Sequence, residues 1–283
     1  MKEKGSDFQG LRQVCLDASG SIRALWGEAM QHTFSRHFHA SLCVGLVKEG
    51  KRSLLVRGRW YELKPGTLFL LPPGELHECR CSGERGHAYR ILLWSSPFLE
   101  NLKAYNHEVF PEVPGFSEDP FLRKDFLELF AACFEGESSL FFEKGAPFLR
   151  RFFARSSFLP KDAKPLDQRM CFLKRYLAMH SCRRVSLKEL GELCSLSPWY
   201  LQRRFLRCFG MTPEEYATML RIRKSVDFLA QGRSCVDISL DLGFADQSHF
   251  SRIFRKIMGV PPGKMHLGES SLSSLSDKEF ERF

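Results

Sequence analysis

The chain lacks the marks of membrane and disulfide-stapled proteins. No run of 18 or more apolar residues occurs, so no membrane-spanning helix is expected. The opening MKEKGSDFQG lacks the apolar centre of a secretory signal, which sets the expectation of a cytoplasmic protein with no membrane partner. The ten cysteines are scattered and contain no CxxC pair, which argues against a disulfide framework. They are expected as free thiols in a reducing compartment, where cysteine behaves as a small buried hydrophobe.

Acidic residues are outnumbered, 33 against 42 Lys and Arg, for a net charge of +9, and the deficit is local. Residues 166–267 hold 17 basic and 9 acidic side chains, or +8, while everything else holds 25 and 24. A basic C-terminal third draws the chain to phosphate and makes binding salt-dependent.

That third also contains an internal repeat. VSLKELGELCSLSPWYLQRRFLRCFG (185–210) lies over SCVDISLDLGFADQSHFSRIFRKIMG (234–259). The second halves agree at an offset of 49, pairing Arg203 with Arg252 and Phe205 with Phe254. The first halves agree at 48, so one extra residue sits in the second turn. Each copy reads as a short helix, a turn, and a helix with apolar residues at helical spacing, Leu201/Phe205/Phe209 and Phe250/Phe254/Ile257. Ser197 and Asp246 stand where N-caps belong, and Gly191 and Ser239 allow close helix approach. The opposite faces carry Trp199, Gln202, Arg203 and Arg207 in one copy and Gln247, Ser248, His249, Ser251, Arg252 and Lys256 in the other. These side chains suit phosphates and base edges. Between the copies, Thr212-Pro213-Glu214-Glu215 predicts a capping box opening a helix to Gln231. That helix is expected to set the two reading helices roughly 34 Å apart.

On these residues, and above all on GFADQSHFSRIFRKIMGVPP (243–262) with SPWYLQRRF (197–205), the segment from about Pro165 to His266 resembles the double helix-turn-helix domain of AraC/XylS-family transcription regulators. The resemblance implies sequence-specific binding of double-stranded DNA, with RNA polymerase as a further partner if the protein is an activator. It implies no catalysis.

The N-terminal half has β texture. Short apolar runs at 42–47, 60–63, 67–71 and 89–94 are separated by Gly and Pro turns, as in a small barrel or jelly roll. His37-x-His39, Gly50 and GTLFLLPPGELH (66–77) resemble the motifs of the cupin barrel that binds small-molecule effectors in many such regulators. The resemblance puts His37, His39 and His77 at metal-ligand positions of metal cupins and Cys43 where those have Glu. No cofactor is expected. The set reads as an effector pocket, with a divalent metal held by three His and a Cys as the less favoured option.

Residues 101–116 read as a loop, and 120–134 and 138–158 as a helical hairpin rich in phenylalanine. In the family such a hairpin serves dimerisation, so a homodimer is one expectation; packing within the chain is the other. The expected architecture is α+β in two domains. A cupin-like β-barrel with a helical hairpin spans 1–158, a Pro- and Lys-containing linker 159–165, an all-α double helix-turn-helix domain 166–267, and a flexible tail 268–283. The expected function is an effector-controlled regulator, most simply an activator. Two alternatives stand beside it: a metal-dependent cupin enzyme fused to the DNA-binding module, and a thiol or metal sensor using Cys43, Cys79 and Cys81.

Overall fold

The computed structural model describes residues 10–16, 21–83, 86–106, 112–160, 167–264 and 266–268. Most of the linker and nearly all of the C-terminal tail expected from the sequence lie outside the described residues. Among the described residues, those up to 33, 38–160 and 264–268 make one compact unit, and 34–37 with 167–263 make the other.

The N-terminal part of the chain runs β1 (Gly10–Cys15), β2 (Ile22–Met30), β3 (Phe34–His37), β4 (Leu42–Glu49), β5 (Arg52–Val56), β6 (Arg59–Leu63), β7 (Leu68–Leu71), β8 (His77–Cys81), β9 (His87–Trp94), α1 (Ser96–Asn106), β10 (Gly115–Ser117), α2 (Pro120–Glu135), α3 (Ser138–Ala154) and β11 (Ser157–Phe158). The eight-stranded sheet has the order β11-β10-β7-β4-β9-β2-β1-β12, closed at its last edge by β12 (His266–Gly268), which pairs in parallel with β1. A four-stranded sheet has the order β3-β8-β5-β6. At Gly50, after β4, φ is +71° and a Cβ would stand 2.4 Å from the Gly86 carbonyl oxygen, so this turn requires glycine.

The two faces of the large sheet differ in chemistry. Strand alternation sends Ile22, Ala24, Trp26, Leu42, Val44, Leu46, Leu68, Leu70, Leu92 and Trp94 to one side. There they join Phe126 and Phe130 of α2 and Phe141, Phe148 and Phe152 of α3 in one buried apolar cluster. Thus much of the phenylalanine of the hairpin is spent inside the chain, leaving Phe121, Phe142 and Phe153 exposed. The other side carries Cys43, Phe69 and Tyr89 and is faced by the four-stranded sheet, whose Arg52 guanidinium stands 4.4 Å from the Tyr89 ring and 5.8 Å from that of Phe69.

Two sequence expectations are corrected. Residues 101–106 are not loop but the second half of α1, whose Phe98, Leu99 and Leu102 are buried in the apolar cluster; the nearby prolines at 111 and 114 masked a helix too short to show a full period. The second hairpin helix ends at Ala154, after which Ser157–Phe158 pairs with β10 as a strand.

The part from 167 to 263 is helical: α4 (Gln168–Met179), α5 (Leu187–Cys194), α6 (Pro198–Phe209), α7 (Pro213–Ala230), α8 (Cys235–Asp241) and α9 (Gln247–Met258). Leu190, Leu201 and Phe205 of the first copy and Ile238, Phe250 and Phe254 of the second are buried. The capping box of α7 is complete, with Thr212 and Glu215 exchanging backbone bonds. A Cβ on Gly191 would meet the Leu196 carbonyl oxygen at 2.5 Å, which explains glycine at the tight first turn. The extra residue of the second turn is identified by its hydrogen bonds. Leu196 N–H bonds to Gly191 O and Phe244 N–H to Ser239 O, both at the offset of 48, whereas the caps Ser197 and Asp246 differ by 49. Ala245 is therefore the insertion. Arg221, buried on α7, clamps this longer turn: Nη1 donates to Gly243 O at 3.1 Å while the guanidinium lies 4.9 Å from the Phe244 ring.

Candidate nucleic-acid interface and ligand pocket

Helices α6 and α9 begin on side-chain caps, Ser197 accepting from Tyr200 N–H and Asp246 from His249 N–H, and both end at a left-handed glycine, Gly210 and Gly259. With Leu201 and Phe205 buried on α6, helical geometry turns Trp199, Arg203 and Arg207 outward, and all three are exposed. On α9 the same logic exposes Gln247, Ser248, Arg252 and Lys256. Gln202, His249 and Ser251 are half-buried at the margins of these stripes. His249 is turned toward its own turn, its Nδ1 accepting from Ala245 N–H at 3.4 Å and its ring 5.8 Å from Phe244.

Trp199 and Arg203 form a unit, with the guanidinium 4.4 Å from the indole centroid one turn away, so the arginine is presented in a restrained conformation. Sequence reasoning missed Arg255, exposed in the last turn of α9. Its spacing of three from Arg252 was the available signal; its counterpart in the first copy, Leu206, is apolar and hid it.

The N-terminal candidates fall into two groups. His37, His39 and His77 come together, their ligand nitrogens within 4.8 Å of one another. His37 Nδ1–H donates to Ser35 O at 2.8 Å and His77 Nδ1–H to Glu75 O at 2.9 Å, which places the imidazole lone pair on Nε2 in both. Three imidazoles are a donor set that suits Zn or Fe. Cys43 does not stand in that group. It lies near Cys79 and Arg52, and burial, with Cys79 adding to it, pushes its thiol far above the ordinary value. Cys43, Cys79, Cys81, Cys133, Cys171, Cys182, Cys194, Cys208 and Cys235 are free, as expected.

The second group was anticipated only in its thiols, Cys43 and Cys79. Arg52, 3% exposed, lies with Cys43, Cys79, His87 and Tyr89. Burial pushes the Tyr89 phenol up to about 12 and, with Arg52 adding to it, the His87 imidazole down to about 3. Strand period was the signal: in RSLLV, residues 52, 54 and 56 share a face, and Leu54 and Val56 fix it as the inward one.

The depressed His87 has a consequence for stability. Its folded value lies below the unfolded one near 6.5, so the neutral ring is compatible with the fold above that pH, and unfolding takes up a proton below it. The N-terminal unit is expected to lose about 1.4 kcal/mol per pH unit below pH ~6.5 relative to His87→Gln, read by urea denaturation at several pH values.

Comparison with known proteins places these features in one lineage. Residues 19–144 match the model of the AraC-like ligand binding domain and residues 190–266 that of a helix-turn-helix domain. The uncharacterized HTH-type transcriptional regulator YbfI of Bacillus subtilis is 27% identical over 84% of this chain and 89% of its own length. The arabinose operon regulatory protein of Escherichia coli is 24% identical over 80% of each. Among solved structures, ToxT of Vibrio cholerae with a bound unsaturated fatty acid superposes with a TM-score of 0.53 at 14% identity, over 93% of this chain and 95% of that one. With a ligand-binding domain at its N-terminal end and a twinned helix-turn-helix at the other, the chain belongs to the AraC/XylS family of transcription regulators.

Proposed function

We propose that this protein is a transcription activator that reads its operator through α6 and α9 and is controlled by a small molecule bound in the N-terminal barrel. The observation that carries this reading is the pair of capped helices, each burying an apolar stripe and exposing an arginine at the same repeat position, Arg203 and Arg252. Two such helices in tandem match two successive major-groove segments, and their remaining cations suit the backbone. The proposed domains are 1–158 for ligand binding, a linker at 159–165 and 166–267 for DNA binding; the division after residue 161 favours the first boundary, whereas residues from 264 on go with the N-terminal unit, where His266–Gly268 pairs with β1. His37, His39, Cys43 and His77 belong to the interior and mouth of that barrel and serve as pocket residues. RNA polymerase, a second copy of the chain and the cytoplasm complete the reading as partners and place.

The test is binding of full-length protein to a labelled duplex taken from upstream of its own gene. Phosphate contacts release counterions, so affinity is expected to fall at least about tenfold between about 50 and 200 mM salt, with unrelated DNA bound more weakly throughout. Equal affinity for both duplexes at every salt concentration would refute sequence-specific regulation.

A further inference from the structure

One short strand of the N-terminal sequence touches both reading helices. β3 (Phe34–His37) groups with residues 167–263 and packs against α9, although 221 residues separate Ser35 from Lys256. Phe34 and His37 are buried at the two ends of the strand, their rings 6.2 Å apart, and His37 Nδ1–H donates to Ser35 O at 2.8 Å. Between them stand half-buried Ser35 and exposed Arg36. Ser35 Oγ–H donates to Lys256 O in the last turn of α9 at 3.3 Å. Arg36 Nη1–H donates to Gly210 O at the end of α6, also at 3.3 Å.

Both acceptors lie where a helix takes a donor most readily. The last carbonyls of an α-helix have no intrahelical partner, and the aligned peptide dipoles leave partial negative charge there. The two helices end alike, at a left-handed glycine whose N–H returns to a carbonyl four residues back, Gly210 to Leu206 and Gly259 to Arg255. To these ends β3 adds a guanidinium on one and a hydroxyl on the other, the first being charge-assisted. Neighbouring residues of a strand have α-carbons about 3.8 Å apart, so two adjacent side chains hold one helix of each copy to a single short segment. α7 joins the copies through the chain and packs on α6, α8 and α9. β3 is a second tie between them.

We propose that Ser35 and Arg36 are positioning residues for DNA reading: they hold the C-terminal ends of α6 and α9 at the separation and rotation that two successive major-groove segments require. This rests on the operator reading above. A duplex presents those segments at fixed spacing, so freedom between the helices would both weaken binding and let a misplaced segment be read.

The test uses full-length protein and the duplex upstream of its own gene, with base pairs added or removed between the two segments protected in hydroxyl-radical footprinting. One base pair moves the second segment by roughly 3.4 Å and a tenth of a turn. Wild type is expected to lose about tenfold or more in affinity on that change. Ser35→Ala combined with Arg36→Met is expected to shrink this loss by about threefold or more, while affinity at the native spacing falls less than about tenfold. Arg36→Lys keeps a cation at the end of α6 and should recover part of the wild-type ratio. Arg59→Met, at an exposed arginine of β6, and Phe148→Ala, in the core under the large sheet, should leave the ratio unchanged, so lost stability alone does not mimic the effect. Circular dichroism checks folding; if the double variant does not fold, Ser35→Ala and Arg36→Met are read singly by the same ratio. The proposal is overturned if wild type tolerates the changed spacing or if the folded variants keep the wild-type ratio. An equal fall at every spacing, with a shallower salt dependence, would mark Arg36 as a phosphate contact instead. Equal binding of operator and unrelated DNA by wild type would refute the operator reading itself, so the two failures are separable.

Discussion

Arg203→Ala combined with Arg252→Ala is expected to weaken binding to the protein's own operator by about 2–6 kcal/mol. Each substitution alone should contribute about 1–3 kcal/mol and relax specificity at one base position. The two arginines stand on separate helices with no shared partner on either stripe, so their effects should add. Fluorescence anisotropy with wild-type and base-substituted duplexes measures both terms. The neighbouring Arg204 supplies an internal control. Its Nε donates to Asp167 at 2.8 Å, holding α6 to the cap of α4, so Arg204→Ala should leave base preference unchanged. Equal loss of base discrimination from Arg203→Ala and Arg204→Ala would contradict the assignment of the outward face.

The adjacent pair shows where sequence reasoning reaches and where it stops. The period of Leu201 and Phe205 told which face of α6 is buried, and the caps told where the helix begins, because both are local properties of a few consecutive residues. The contacting stripe was therefore legible, apart from Arg255. The barrel interior was harder. Its motif histidines do gather, yet Cys43, which lies in register with a metal-cupin position, faces a different cluster. What a side chain on one strand meets depends on which strand lies opposite, and the pairing of β5 with β8 and the facing of Arg52 by β9 join segments that are not neighbours in the chain. Helix α1 was missed for the opposite reason: it is local but too short, and only the sheet beneath it reveals that Phe98, Leu99 and Leu102 form a buried face.

Phe254→Ala and Phe148→Ala are expected to have similar energetic costs and different consequences. Both rings are fully buried, Phe254 against Phe250 in the second helix-turn-helix and Phe148 between Trp94 and Phe152 under the sheet. Truncation of such a ring leaves a cavity and costs about 3–5 kcal/mol, a large share of the stability of a unit this size. Each ring belongs to the core of its own compact unit. Differential scanning calorimetry should therefore show one transition moved down by each substitution and the other left in place, with Phe254→Ala losing operator binding at temperatures where Phe148→Ala still binds. Two separate transitions would mean that the DNA-reading face owes its order to Leu201, Phe205, Phe250 and Phe254 beneath it. A single transition lowered equally by either change would mean instead that the units fold as one, and that stabilisation by a ligand in the barrel is felt directly at α6 and α9.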